Sequence, residues 1–371
     1  MAEVLLDRAP RGRVVSIDAL RGFDMFWIIG GDFFIVKLAD MVDAPWGEFL
    51  RTQVEHTAWH GFTFLDLIFP LFLFIVGLSM TYSMGKRIAR GDSKRELYGQ
   101  VIKRFLTLLL LGYVFNGLLD FQFGQLRHTG VLIRIAYCYL FTSFIMIHLG
   151  TRARIWLTAL LLLVYWALMA LVPVPGHGAG VLTQAGNLAG HIDRLLLPGK
   201  WYDYGGGDYL GVLSYITATA STMAGVLVGQ WMRSGREDRV MVRGLVVAGV
   251  AAVVIALLWD LVFPINKPIW TSSYVVYAAG WSCLLMAVFY WVIDMKGYKN
   301  WAFPFVVIGL NPITIYVVQR LFNFGHIADI FVHGFIGKMG VLEPLFYVAC
   351  VFAVKWLFLY FLYRKRIFLK A

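Results

Sequence analysis

Ten long apolar stretches, divided by short polar connections, set the pattern of this chain. They fall at about 17–38, 63–84, 101–119, 130–148, 154–172, 209–232, 243–262, 271–293, 301–322 and 342–363. Most approach or exceed the ~18–20 residues that an α-helix needs to cross hydrocarbon. The pattern predicts an all-α polytopic membrane bundle of about ten transmembrane helices. A shorter apolar piece at about 326–337 is expected to be re-entrant or interfacial. The implied organisation is an N-terminal tail at 1–16, a transmembrane domain at 17–363 and a basic C-terminal tail at 364–371. The first apolar run is too long for a cleavable signal and has no small-residue cleavage site.

The polar residues that interrupt these runs are the candidates for chemistry, because ionisable groups in a span are costly and tend to face a cavity. The first span reads SIDALRGFDMFWIIGGDFF. At 100° per residue, Asp18, Arg21 and Asp32 share one helix face. Asp18 and Arg21 also suit a simple anchoring pair at the interface, which leaves the deeper Asp32 unexplained. The second span carries Asp66 and Pro70, and the proline removes the N–H that would bond the carbonyl of residue 66. Asp66 lines a polar niche or caps the helix there. Arg134, a few residues inside the fourth span, stays charged and is expected to pair with an outer aspartate. The GLNPITIY stretch predicts a helix broken near Asn311 and Pro312. His56 and His60 are spaced i, i+4, so a helix would let them share a metal, but no third ligand is fixed. No metal is expected. Histidine is the side chain most often used as a general base, so His56 is the candidate for that role.

Composition agrees with the membrane reading. Hydrophobic residues make up 60% of the chain and charged residues 15%, against about 25% charged in soluble domains. Thirteen Trp and eighteen Tyr suit interfacial belts. Cys138, Cys283 and Cys350 all fall inside apolar runs, which argues against disulfides and a Cys-based metal site. The net charge of +11 looks at first like a nucleic-acid footprint. Its placement says otherwise. Twenty Lys and Arg lie in the two tails and the even-numbered connections, and six in the others. By the positive-inside rule both termini are cytoplasmic, and no nucleic-acid partner is implied. The long outer connections carry His56 and His60, the Gly/Tyr/Asp-rich HIDRLLLPGKWYDYGGGDYLG, and FPINKPIW.

Taken in order, SIDALRGFDMF, HTAWHGFTFLDLIFPLFLFIVGLSM, TGVLIRIAYCYL, HIDRLLL, PINKPIWTSSYV, GLNPITIY and YRKRIFLK resemble the heparan-α-glucosaminide N-acetyltransferase family over nearly the whole chain. The resemblance implies a membrane acetyltransferase that uses cytosolic acetyl-CoA to acetylate a glucosamine amine on the far side. It implies a bacterial-type member of the inner membrane, without the luminal domain of the lysosomal enzymes, and a homodimer among lipids. His56 takes the place of the family's catalytic histidine. Asp32 stands where the lysosomal family has an active-site asparagine, and Gln319 where it has a histidine. Asn311 also matches, as a catalytic group, and Asp66, Arg134, Asp193, Asn266, Lys267, Trp270, Ser273 and Tyr274 match as substrate-side residues. Asn311, Ser273 or a backbone N–H would hold the oxyanion. Asp18, Arg21, Lys103 and Arg104 are the candidate cations and neighbours for the CoA phosphates. Direct transfer and an acetyl-His56 route both fit. An O-acyltransferase for glycans or lipids, and a proton-coupled transporter of an amino sugar or small solute, are the rival readings.

Overall fold

The computed structural model describes residues 14–42 and 44–368. Arg8, Arg11, Arg13 and Lys370, counted above among the basic tail residues, lie outside them. Among the described residues the chain is helical, with two isolated β-bridges.

The first span is two helices. α1 (Val15–Phe26) runs into a π-helical segment, Trp27–Gly31, and α2 (Asp32–Asp40) follows. Gly30 has φ 123°, a left-handed value that side chains avoid. The helical register therefore does not carry from Asp18 to Asp32. Those residues do not share the single stripe expected from a regular helix, because the π segment shifts everything after Phe26. α3 (Pro45–Gln53) follows, then the non-helical stretch 54–63, then α4 (Phe64–Arg90), which contains Pro70. The rest runs through α5 (Lys94–Phe115), α6 (Val131–His148), α7 (Thr151–Leu171), α8 (Leu188–Leu196), α9 (Tyr215–Met232), α10 (Asp238–Asp260) and α11 (Ser272–Phe289). It closes with α12 (Phe303–Leu310), α13 (Pro312–Leu321), α14 (Phe324–Ile336) and α15 (Glu343–Arg364).

Among the described residues seven helices are long and apolar enough to span a membrane, and the pair α12 and α13, bent by 64°, makes an eighth when counted as one span. The other two expected segments are helical but fall short for physical reasons. The first is broken at Trp27–Gly31 and carries Asp18, Arg21, Asp24 and Asp32. α9 is diluted by Thr217, Thr219, Ser221, Thr222, Gly225 and Gly229.

The chain divides into two compact units. The first comprises residues up to His56, Thr63–Ile68 and everything from Leu285. Here α1 lies so close to α12 that a Cβ on Gly22 would fall on the Phe305 carbonyl, and one on Gly309 on the Asp18 carbonyl. Asp294 accepts hydrogen bonds from the backbone N–H groups of Val15 (3.2 Å) and Ser16 (3.0 Å), capping the start of α1 from a distant part of the chain. The second unit comprises Thr57–Phe62 and Phe69–Leu284. There α4 and α9 approach through Gly77 and Gly225, and α10 and α11 through Gly249 and Gly280. Small residues at helix contacts are the usual way to gain dispersion where hydrophobic burial offers no drive.

Candidate active site

The first unit holds a candidate base, His56, with a carboxylate partner. His56 sits in the non-helical stretch after α3, its side chain about half exposed. Its Nδ1 lies 2.9 Å from Oδ1 of Asp66, in the first turn of α4. Asp66 is fully buried. Its other oxygen, Oδ2, accepts the backbone N–H of Thr63 and lies 3.2 Å from the Thr63 hydroxyl. That hydroxyl donates to the Glu55 carbonyl at 2.7 Å. The carboxylate thus caps the start of α4 and holds the imidazole at the same time. A carboxylate at Nδ1 fixes the tautomer and directs Nε2 away from it. Asp66 is therefore the orienting partner of His56. Sequence reading placed it among substrate contacts and gave Thr63 no role. The shared His56–His60 metal face does not form, because residues 54–63 are not helical.

The break in the first span builds a second feature. Asp32 begins α2, and its carboxylate is reached by the backbone N–H groups of Asp32 and Phe33. Lys355 of α15 donates to the Ile29 carbonyl at 2.6 Å and lies 3.3 Å from Oε1 of Gln319. Sequence reading missed Lys355, although a lysine inside the last apolar run was a legible signal. It also missed Asp24, which is fully buried with neither oxygen hydrogen-bonded.

Asp18, Arg21 and Asn311 form a separate group on α1 and the helix break. Arg21 Nη1 lies 3.2 Å from both Asp18 Oδ1 and the Gly309 carbonyl. Asn311 donates through Nδ2 to the Ile367 carbonyl at 3.0 Å.

In the second unit, Arg134 does not meet the expected aspartate. It is fully buried, with its guanidinium 4.6 Å from the Trp270 ring and 5.4 Å from Tyr215. Nη2 donates to the Ser214 hydroxyl and the Gly211 carbonyl, while Nε and Nη1 have no hydrogen-bond partner. Stacking between rings suits the weakly hydrated guanidinium. Trp270 is held in the left-handed region, φ 52°, by the turn that begins at Asn266. In that turn Asn266 accepts the Ile269 N–H through its side chain and the Thr271 N–H through its carbonyl. Its amide nitrogen lies 3.3 Å from His60 Nδ1. Burial pushes the His60 imidazole below its usual range, so it is neutral at pH 7. Lys267 contributes its carbonyl to the Trp270 N–H. The Ser273 hydroxyl is committed to Thr271 at 3.1 Å, and Tyr274 is buried against Trp270. Lys103 is exposed on α5, and Arg104 stacks 4.5 Å from Tyr139 with Nε unpartnered.

Asp193, on α8, accepts the backbone N–H groups of Asp208 (3.1 Å) and Val212 (2.9 Å) and so ties the loop before α9 to α8. Burial pushes its carboxyl up to about 6, and the two N–H groups oppose this. Between the ordinary 3.8 and about 6 the folded chain holds a proton that the unfolded chain has lost. Stability from this group is therefore gained as pH falls through 6 and is absent above it. Wild type is expected to gain about 1 kcal/mol over Asp193→Asn between pH 7.5 and pH 5. Paired thermal melts at the two pH values check this, and an unchanged gap would contradict it.

Residues 13–195 match the family model for the catalytic region of heparan-alpha-glucosaminide N-acetyltransferase. That stretch holds Asp32, His56, Asp66, Arg134 and Asp193. The chain is 27% identical to heparan-alpha-glucosaminide N-acetyltransferase of Homo sapiens, over 84% of this chain and 53% of that protein. It is 27% identical to the Mus musculus protein of the same name, over 98% of this chain and 62% of that one. The chain thus spans between half and two thirds of the length of these curated relatives. It has helices long and apolar enough to span a bilayer, and over residues 13–195 it is similar to the catalytic region of heparan-alpha-glucosaminide N-acetyltransferase.

Proposed function

We propose that this chain transfers an acetyl group from cytosolic acetyl-CoA to the amine of a glucosamine-type sugar. It would do so in the bacterial inner membrane, with the acceptor met on the periplasmic side. The observation that carries this reading is the His56–Asp66 pair: a half-exposed imidazole held at Nδ1 by a buried carboxylate, 2.9 Å away, at the mouth of a span. The charge asymmetry of the loops supports the sidedness, putting His56 opposite the basic connections.

The thioester supplies an activated acetyl carbon. His56 receives, at Nε2, the proton that the amine sheds as its nitrogen attacks that carbon. Asp66 stabilises the imidazolium that results. A backbone N–H group is the donor assigned to the developing oxyanion. As the C–S bond breaks, His56 returns its proton to the departing thiolate, and the amide and free CoA leave. Lys103 and Arg104, whose Nε has no hydrogen-bond partner, are the cations assigned to the CoA phosphates. Direct transfer needs no acetyl-imidazole beside water, so both substrates are taken to be bound together.

The test uses purified protein in nanodiscs with radiolabelled acetyl-CoA and glucosamine. Labelled N-acetylglucosamine is the expected product, with intersecting lines in double-reciprocal plots. Parallel lines would replace direct transfer with an acetyl-enzyme route. In sealed proteoliposomes, uptake of labelled glucosamine without acetylation would replace the enzyme reading with a transporter.

A further inference from the structure

Tyrosine and tryptophan offer a large, rigid apolar face with a polar tip. Four of them meet in the second unit. Trp59 packs on Tyr204 with ring centroids 5.0 Å apart, Tyr204 on Tyr209 at 5.7 Å, and Tyr209 on Tyr202 at 4.9 Å. Tyr204 is buried, and its hydroxyl donates to Asn187 Oδ1 at 3.0 Å. Trp59 and Tyr209 are half-buried, and Tyr202 is 60% exposed. A row of aromatic side chains thus reaches solvent on the support of one buried tyrosine. Trp59 comes three residues after His56 in the chain.

The loop that carries three of these rings is fixed from within. Asp203 Oδ1 accepts the backbone N–H groups of Gly205 (2.8 Å), Gly206 (2.9 Å) and Gly207 (3.2 Å). The buried Asp208 accepts the Tyr202 N–H at 2.9 Å and holds Arg127 through both oxygens, at 3.0 and 2.7 Å. The Arg127 guanidinium in turn lies 5.5 Å from the Tyr202 ring. The rings are therefore in place before a ligand arrives, which lowers the ordering cost of binding.

The charges around the row narrow what it can take. Arg127 is paired with Asp208. Arg194 donates to the Gly206 and Ala185 carbonyls. Asp203 is exposed, and among the described residues its side-chain hydrogen bonds all run to Oδ1, so Oδ2 faces a ligand or solvent. An apolar ring face edged by a carboxylate fits an amino sugar. The C–H face of the pyranose lies on the ring, and its ammonium meets the carboxylate. The same carboxylate repels a uronic acid or an anionic lipid headgroup.

We propose that Tyr202, Tyr209 and Trp59, with Asp203 at their edge, form a saccharide-binding ledge that takes an aminated sugar of an oligosaccharide in preference to a uronic acid. The ledge belongs to the second unit alone. That the saccharide it holds is also the acetyl acceptor rests on the acetyltransferase reading.

The experiment has two arms. In the first, calorimetry on the protein in nanodiscs, at mildly acidic pH, compares glucosamine with two tetrasaccharides. One is built of β-1,4-linked glucosamine, and the other alternates glucosamine with glucuronic acid. The glucosamine tetrasaccharide is expected to bind at least roughly tenfold tighter than glucosamine, the upper range for one aromatic contact. Tyr202→Ala should remove that advantage and Tyr202→Phe keep it. Both variants leave the backbone N–H of residue 202 on Asp208; should Tyr202→Ala not fold, Tyr209→Ala is read in the same way. Asp203→Asn retains an acceptor for the three glycine N–H groups. It should weaken the glucosamine tetrasaccharide by about threefold, the scale of an exposed ion pair, and strengthen the glucuronate-containing one. Equal affinity of wild type for glucosamine and its tetrasaccharide overturns the proposal, as does tighter binding of the glucuronate-containing chain. A tetrasaccharide that binds wild type and Tyr202→Ala alike makes the rings an anchor in the lipid headgroups, and the proposal falls. In the second arm, the preference for the glucosamine tetrasaccharide over glucosamine in kcat/KM is expected to drop by roughly tenfold in Tyr202→Ala, carried by KM. Ring-dependent binding without acetylation ends the acetyltransferase reading and upholds the ledge. Acetylation of glucosamine without ring-dependent binding ends the ledge and upholds that reading.

Discussion

His56→Ala is expected to lower acetyl transfer to glucosamine by at least roughly 10³-fold, within the range for a positioned general base. The thermal midpoint should move little. The imidazole is half exposed, and Asp66 keeps its bonds from Thr63 when the ring is gone. The net loss is then one hydrogen bond, about 1 kcal/mol. Asp66→Asn is the sharper variant. Its shape is nearly unchanged, but an amide that turns its NH₂ to Nδ1 favours the other tautomer and puts a proton on Nε2, where the base needs a lone pair. Rates should fall by about 10²-fold or more, in kcat rather than KM. Retention of a tenth or more of wild-type activity by His56→Ala would remove it as the base.

The membrane architecture was legible because a long run of apolar side chains has one economical fate, a helix whose backbone groups bond internally. The break at Asn311 was legible for a related reason, since the proline after it cannot donate. What escaped was everything that depends on irregular backbone. Gly30 and Gly31 read as ordinary small residues in an apolar run, yet Gly30 breaks the register there and moves Asp32 off the Asp18 stripe. His56 and Asp66 are ten residues apart, with the non-helical chain up to Thr63 between His56 and the start of α4, a separation that no helical wheel brings together. Arg134 was expected to seek an acid by charge alone, but it lies between Trp270 and Tyr215, and the positive φ that presents Trp270 comes from turn geometry that the sequence does not spell out. Lys355 and Asp24 were visible as ionisable letters in apolar runs. Only three-dimensional placement distinguishes them: the first has two neutral acceptors, and the second has no partner.

The second large effect concerns stability rather than chemistry. Gly22→Ala and Gly309→Ala are each expected to destabilise the protein by about 1–3 kcal/mol or more, the range for inserting methyl groups into a packed interior. The reason lies in what each new Cβ meets. At Gly22 it meets the Phe305 carbonyl and the Gly309 nitrogen, and at Gly309 the Asp18 carbonyl and the Gly22 nitrogen. These are backbone atoms of α1 and α12, so no rotamer change relieves the clash and the helices must separate. Separation also pulls Arg21 from the Gly309 carbonyl. Because either methyl forces the same separation, the double variant should cost clearly less than the sum of the singles. Gly99→Ala, on α5, is the control of opposite sign. Nothing stands within 4 Å of its Cβ position. Replacing a helical glycine there should stabilise by up to about 1 kcal/mol through helix propensity and lost unfolded-state freedom. Thermal melts of detergent-purified protein, followed by size-exclusion chromatography, read all four variants. If Gly22→Ala melts with wild type, α1 and α12 do not lie in backbone contact. If Gly99→Ala falls with it, the loss reflects glycine flexibility rather than the close approach of two helices.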